Sequence, residues 1–152
     1  MFSRILFWGI IGSIFVASLF YLIFSESYQK SIRAKTYYTF GDYKEAYKLA
    51  KEAFLLDKYN KMAFTVMSQS GINMGFIDFI ELARGYQDEI KQIIEDGVVE
   101  IVKIKIKIIC EVVIGSFKEV KSKTIMTDKT ILKEANELNE WFERVYLEAF
   151  AK

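Results

Sequence analysis

The chain has 152 residues, a net charge of +1 from 21 basic and 20 acidic side chains, and 52% hydrophobic content. A balance this close to neutral provides no field to gather nucleic acid or a strongly charged substrate, so nucleic acid is set aside as a partner. Histidine is absent and Cys110 is the single cysteine, which excludes an internal disulfide, Ser-His and Cys-His nucleophile pairs, and His-containing zinc sites.

Residues 5–24 read ILFWGIIGSIFVASLFYLIF, with no charge. As a helix this run covers about 30 Å, enough to cross a bilayer once. Trp8 and Tyr21 stand near its ends, where amphipathic rings favour the interface. Gly9, Ser13 and Ala17, four apart, form a row of small residues suited to packing against another membrane helix. A secretory signal peptide competes with this reading, since Arg4 gives a charged start and Ser25-Glu26-Ser27 a stretch that could be cleaved. The apolar run is longer than a signal h-region of about 7 to 15 residues, which favours an uncleaved anchor over residues 1–26. Arg4 lies on one side, and Lys30, Arg33 and Lys35 on the other. The basic residues after the span point to a cytoplasmic domain; the short tail with one Arg, and no basic residue directly after the span, favour export. The expectation is an inner-membrane protein with a periplasmic C-terminal domain.

Residues 28–60, YQKSIRAKTYYTFGDYKEAYKLAKEAFLLDKYN, have the spacing of a helical hairpin. Gly41 can end the first helix in a left-handed conformation and Asp42 can cap the second, with Glu45 placed to reach back in an acidic capping box. Tyr43, Ala46, Tyr47, Ala50, Ala53 and Phe54 then recur on a three-and-four rhythm, which sets them on one face. Ala34, Tyr37, Gly41, Asp42, Tyr43, Ala46, Ala53 and Asp57 together resemble the 34-residue tetratricopeptide repeat, a helix-turn-helix unit. The likeness covers about one repeat. It departs at Lys30, where the family has a large residue, and at Lys58, where it has proline, although Asp57-Lys58-Tyr59-Asn60 is polar enough to turn.

Downstream, residues 61–72 read as a third helix, Asn73-Met74-Gly75 as a short turn, and residues 76–94 as a fourth helix. Gly75 falls one repeat length after Gly41, so this pair reads as a degenerate second repeat. In residues 98–120, the alternation of Val102, Ile104, Ile106 and Ile108 with lysines suits a strand, but a segment with no turn residue before Gly115 is too long for one. A fifth helix is expected. Thr127 or Asp128 can cap a last helix to Phe150, with Ile131, Ala135, Leu138, Phe142, Val145 and Ala149 along one face. Its expected role is to close the open end of the stack, the alternative being a coiled-coil contact with another chain. The fold class is therefore all-α: an anchor, then a helical-hairpin stack over residues 27–152 with a C-terminal capping helix.

No catalytic constellation, metal-ligand set, cofactor motif or phosphate loop emerges from these residues, and the chain is read as a non-enzyme with no cofactor. Binding is the class that remains. Resemblance to tetratricopeptide repeats implies a concave surface lined by the first helix of each unit, which by register places Ser31, Lys35 and Tyr38, then Thr65, Gln69 and Ile72, at exposed inner positions. The high Lys, Ile, Phe and Tyr content without proline suits a bacterium with an AT-rich genome. The expected function is a membrane-anchored scaffold that holds other envelope proteins, an accessory part of an assembly such as a flagellar motor or secretion machine. The alternative is a periplasmic assembly factor or chaperone for exported chains. Self-association would use the anchor or the last helix.

Overall fold

A computed structural model describes the backbone of residues 2–95, 100–122 and 127–150, and the side chains of these except at 2–6, 19, 20, 22–24, 100 and 101. Six helices occur in order: α1 (Phe2–Phe24), α2 (Glu26–Thr39), α3 (Tyr43–Leu56), α4 (Lys61–Glu95), α5 (Glu100–Lys121) and α6 (Lys129–Phe150). No strand occurs among the described residues. The all-α expectation holds. Among the described residues no helix is both long and apolar enough to cross a membrane; the continuous described side chains of α1 cover only residues 7–18. The helices form two compact units, Met1–Ser70 and Gly71–Lys152.

Unit 1 contains the expected hairpin. Gly41 takes φ +82°, the only left-handed residue described. Its N–H donates to Tyr38 O at 3.1 Å and the Asp42 N–H to Tyr37 O at 3.0 Å, the paired bonds that close a helix around a left-handed glycine. Asp42 at once begins α3, its Oδ1 accepting from the Glu45 N–H at 3.1 Å. The reciprocal half of the capping box does not form: the Asp42 N–H is used by Tyr37, and Glu45 turns to Lys48 at 3.3 Å. Ala34 on α2 meets Ala46, Leu49 and Ala50 on α3, with Val66 of α4 completing the cluster. Alanine lets the helix axes approach closely, as its spacing predicts.

The two departures from the repeat pattern are compensated locally. Lys30 bridges Glu26 at 3.1 Å and Glu52 of α3 at 2.9 Å, so an ion pair stands where the family packs a large residue. In place of proline, Asp57 makes the turn, its Oδ1 accepting from the Tyr59 N–H at 2.8 Å and its carbonyl from the Asn60 N–H at 3.1 Å.

Unit 2 corrects the sequence reading. No turn occurs at residues 73–75: α4 runs unbroken through them. Gly75 keeps a helical backbone, and a Cβ there would meet only Val120 Cγ1 at 3.9 Å, an ordinary contact. Asn73 is buried, and its Oδ1 accepts from the Asp128 N–H at 2.8 Å, fastening the start of α6 to α4. Asn73 thus serves a tertiary hydrogen bond and Gly75 sits in unbroken helix, and the second helix-turn-helix is not made. The rest of α4 joins α5 and α6 in one core, with Phe79 against Phe117 at 5.3 Å between ring centroids. Asp128 caps α6 as expected, accepting from the Thr130 N–H at 2.8 Å. The apolar face of α6, centred on Ala135, Leu138 and Phe142, is spent in this core, so that face is not offered to a coiled coil. The start of the expected fifth helix, at 98 and 99, and the connection at 123–126 lie outside the described residues.

Two glycine substitutions separate the turn from the unbroken helix. Gly41→Ala is expected to lower stability by about 1 to 2 kcal/mol through left-handed strain, whereas Gly75→Ala should raise it by up to about 1 kcal/mol through helix propensity. Urea titration of both variants checks the signs; a destabilising Gly75→Ala would restore the turn.

Candidate functional site

The candidate site begins with a buried knot at the start of α4. Asn60 has no solvent exposure. Its Nδ2 donates to Ser27 Oγ at 2.9 Å and Ser31 Oγ at 3.2 Å on α2, while its Oδ1 accepts from the Ala63 N–H at 3.1 Å and so caps α4. Ser27 in turn donates to Ala53 O of α3 at 2.8 Å, and Ser31 to Tyr28 O at 2.9 Å. One amide therefore ties three helices and satisfies its own donors and acceptor in doing so.

That knot sets the first turns of α4 beside α2. Between them lies a groove of about 350 Å³, lined by Lys35 and Tyr38 from α2 and by Lys61, Met62, Thr65, Val66 and Gln69 from α4. Val66 is buried, Met62 and Tyr38 are half-buried, and Lys35, Lys61 and Thr65 are exposed. Tyr38 is held by Tyr43 in an edge-on contact at 5.3 Å. The groove thus has an apolar floor, two cationic rim residues and no carboxylate in its lining.

Four of the six positions expected on a binding surface, Lys35, Tyr38, Thr65 and Gln69, meet in this groove. Ser31 does not: it is fully buried and its hydroxyl belongs to the Asn60 knot, so it is a structural residue and not an exposed inner one. Ile72 does not either, because it belongs to unit 2 and packs on that core. Gly9, Ser13 and Ala17 lie exposed along α1, with the Ser13 hydroxyl donating to Ile10 O at 2.9 Å. Lys61 and Asn60 were legible only in part. An Asn before an apolar periodic run is a cap signal, but its reach to Ser27 and Ser31 depends on the hairpin being folded.

A larger depression of about 440 Å³ lies in unit 2 along α4, lined by Asp78, Glu81, Leu82, Gly85, Tyr86 and Glu89. It is a hollow over Gly85 on one helix, and Glu89 is engaged by Lys105 at 2.6 Å. It brings no second element to bear on a ligand. Cys110 is fully buried, and burial, helped by Glu111, pushes its thiol up to about 11. It is packing material at neutral pH. At the Lys30 bridge, the hydrogen bond to Glu52 followed by that to Glu26 raises the lysine, and Lys30 holds Glu52 below the usual carboxylate range. This bridge is complete between those limits, and is lost as pH falls through the lowered Glu52 value or rises through the raised Lys30 value.

Asn60→Ala removes a cap and leaves two buried serine hydroxyls short of a partner, and should cost about 2 to 3 kcal/mol by chemical denaturation. Cys110 should resist an aromatic disulfide reagent at pH 8 in the folded chain and react fully in denaturant, because the thiolate forms only as pH approaches about 11. Fast labelling of the native chain would place Cys110 outside the core.

Comparison with protein families, curated proteins and solved structures gives no match. The likeness to a tetratricopeptide repeat is therefore carried by the α2–α3 hairpin and its residues alone.

Proposed function

We propose that this protein is a non-enzymatic scaffold tethered to the inner membrane of a bacterial cell, whose groove between α2 and α4 holds a segment of another envelope protein. The observation that carries the reading is the convergence of Lys35, Tyr38, Thr65 and Gln69 on one apolar-floored groove. A groove of this size accepts a few side chains of a peptide or the edge of a helix. Met62 and Val66 would take an apolar side chain, Tyr38 would stack on its body, and Lys35 and Lys61 would favour an acidic neighbour. A contact this small is weak when free and useful when both partners are held beside a bilayer, which raises their effective concentration.

The tether in this reading is the uncharged run at residues 5–24, which falls within the 23-residue helix α1. No basic residue stands directly after the run, at Ser25-Glu26-Ser27, and on that ground the reading puts the groove on the periplasmic side. Gly9, Ser13 and Ala17 would then face a neighbouring membrane helix.

Photo-crosslinking in the native host tests partner and compartment together. A crosslinker at Thr65 is expected to capture a few envelope proteins in fixed ratio, while one at Lys133 on α6 captures none of them. Lys35→Glu with Lys61→Glu should reduce capture at Thr65 roughly tenfold, the equivalent of about 1.4 kcal/mol. Alkaline extraction should leave the chain in the membrane, and externally added protease should reach it in spheroplasts. Capture of a diffuse set of clients would indicate a chaperone, and release on extraction would remove the tether.

A further inference from the structure

Helix α5 is apolar on two opposite sides. One side, centred on Ile106, Cys110, Val113 and Phe117, is buried in the core of unit 2. The other carries Ile104, Ile108 and Val112, which are 62%, 55% and 46% exposed. Their spacing by four sets them in one row, and exposed Gly115 continues it on the next turn. Scattered surface isoleucines are ordinary. A row of three that ends in a bare glycine, with the charged residues displaced to its flanks, is the pattern of a helix covered on both sides.

The flanks indicate what covers it. Lys107 and Glu111 stand one turn apart on the same flank, both exposed. The Tyr146 hydroxyl donates to Glu111 Oε1 at 3.3 Å and steadies that carboxylate. On the other flank Lys105 is engaged by Glu89 at 2.6 Å. A flank that reads positive and then negative is complementary to itself when reversed. With a two-fold axis beside Ile108, Ile104 of one copy meets Val112 of the second, the two Ile108 side chains meet each other, and each Lys107 faces the other copy's Glu111. We infer that a second copy of this chain docks antiparallel on the Ile104, Ile108, Val112 face of α5. The row is about 12 Å long by the helical rise, and it buries less than the roughly 1,200 Å² of a standard interface. The pairing is therefore exchangeable, and it is independent of the α2–α4 groove.

Disulfide trapping of the full chain in mild detergent tests this. Ile108→Cys puts a thiol at the two-fold, and Leu147→Cys, at the similarly exposed position 147 of α6 (57%), is the control. The unmodified chain gives the background from Cys110. Ile108→Cys is expected to give roughly tenfold more covalent dimer than Leu147→Cys. Added to it, Lys107→Glu or Glu111→Lys should lower trapping roughly tenfold, and the two together should restore it, as the weight of two paired charges implies. All these positions are exposed, so the variants fold. Equal trapping at 108 and 147, or a double swap that fails to restore, overturns the inference. So does a fluorophore on Ile108→Cys that moves to an apolar setting on phosphatidylcholine vesicles without trapping, because lipid would then cover the face. Substitutions in the groove that abolish partner capture leave the trapping result unchanged.

Discussion

The side chain of Asn60 is the constraint on which unit 1 depends. Its amide donates to Ser27 and Ser31 of α2 and accepts from the first turn of α4, and Ser27 carries the link on to Ala53 of α3; water cannot replace these bonds, since the amide has no solvent exposure. A buried amide is tolerated when every polar atom is satisfied, and it then permits only one arrangement of its neighbours, which an apolar contact of similar size would not enforce. Alanine packing between α2 and α3 lets the helices approach; the Asn60 knot decides how far along each other they sit and where α4 begins. The groove with Lys35, Tyr38 and Thr65 is a consequence of that placement.

Unit 2 is arranged by a different use of the same residue type. Asn73 occupies an uninterrupted helix and spends its carbonyl oxygen on the backbone of Asp128, so that the start of α6 is held by α4 instead of by a local turn. Gly75 beside it is a place where a side chain is left out near Val120. A helix-interior glycine costs up to about 1 kcal/mol, an amount that packing of Phe76 and Phe79 in the core can offset. Helix continuity here comes from tertiary contact and overrides the local tendency of Asn-Met-Gly to turn.

For function, the division of labour reflects the chemistry of the surfaces. The groove offers apolar floor and cationic rim at one place, a combination that would suit a short segment of a partner under the proposed function. The outer face of α5 offers a longer apolar row whose flanking charges match themselves in reverse. If both proposals hold, one surface for another protein and one for a second copy would join partners into an array, and a tether would lower the affinity that each contact requires.

The sequence by itself determined the all-α class and the first hairpin. Gly41 and Asp42 act within a few residues of themselves, so their roles are set by local backbone geometry, and the alanine rhythm of α3 states directly which face is buried. The last helix and its Asp128 cap were legible for the same reason. Leu49 was not, Asn60 and Lys61 were so only in part, and the second hairpin was misread. An asparagine carries one local meaning, a turn, and another when a group distant in the chain takes up its hydrogen bond, as Asp128 does for Asn73; Gly75 beside it then stays helical. Ser31 shows the same limit: helical register placed it with Lys35 and Tyr38, but burial was decided by Asn60, 29 residues away. The alternation in α5 is explained likewise. In sequence it suits a strand; in the folded unit its isoleucines divide between a buried side and an exposed one, because the positions of α4 and α6 decide which of two apolar faces becomes the core.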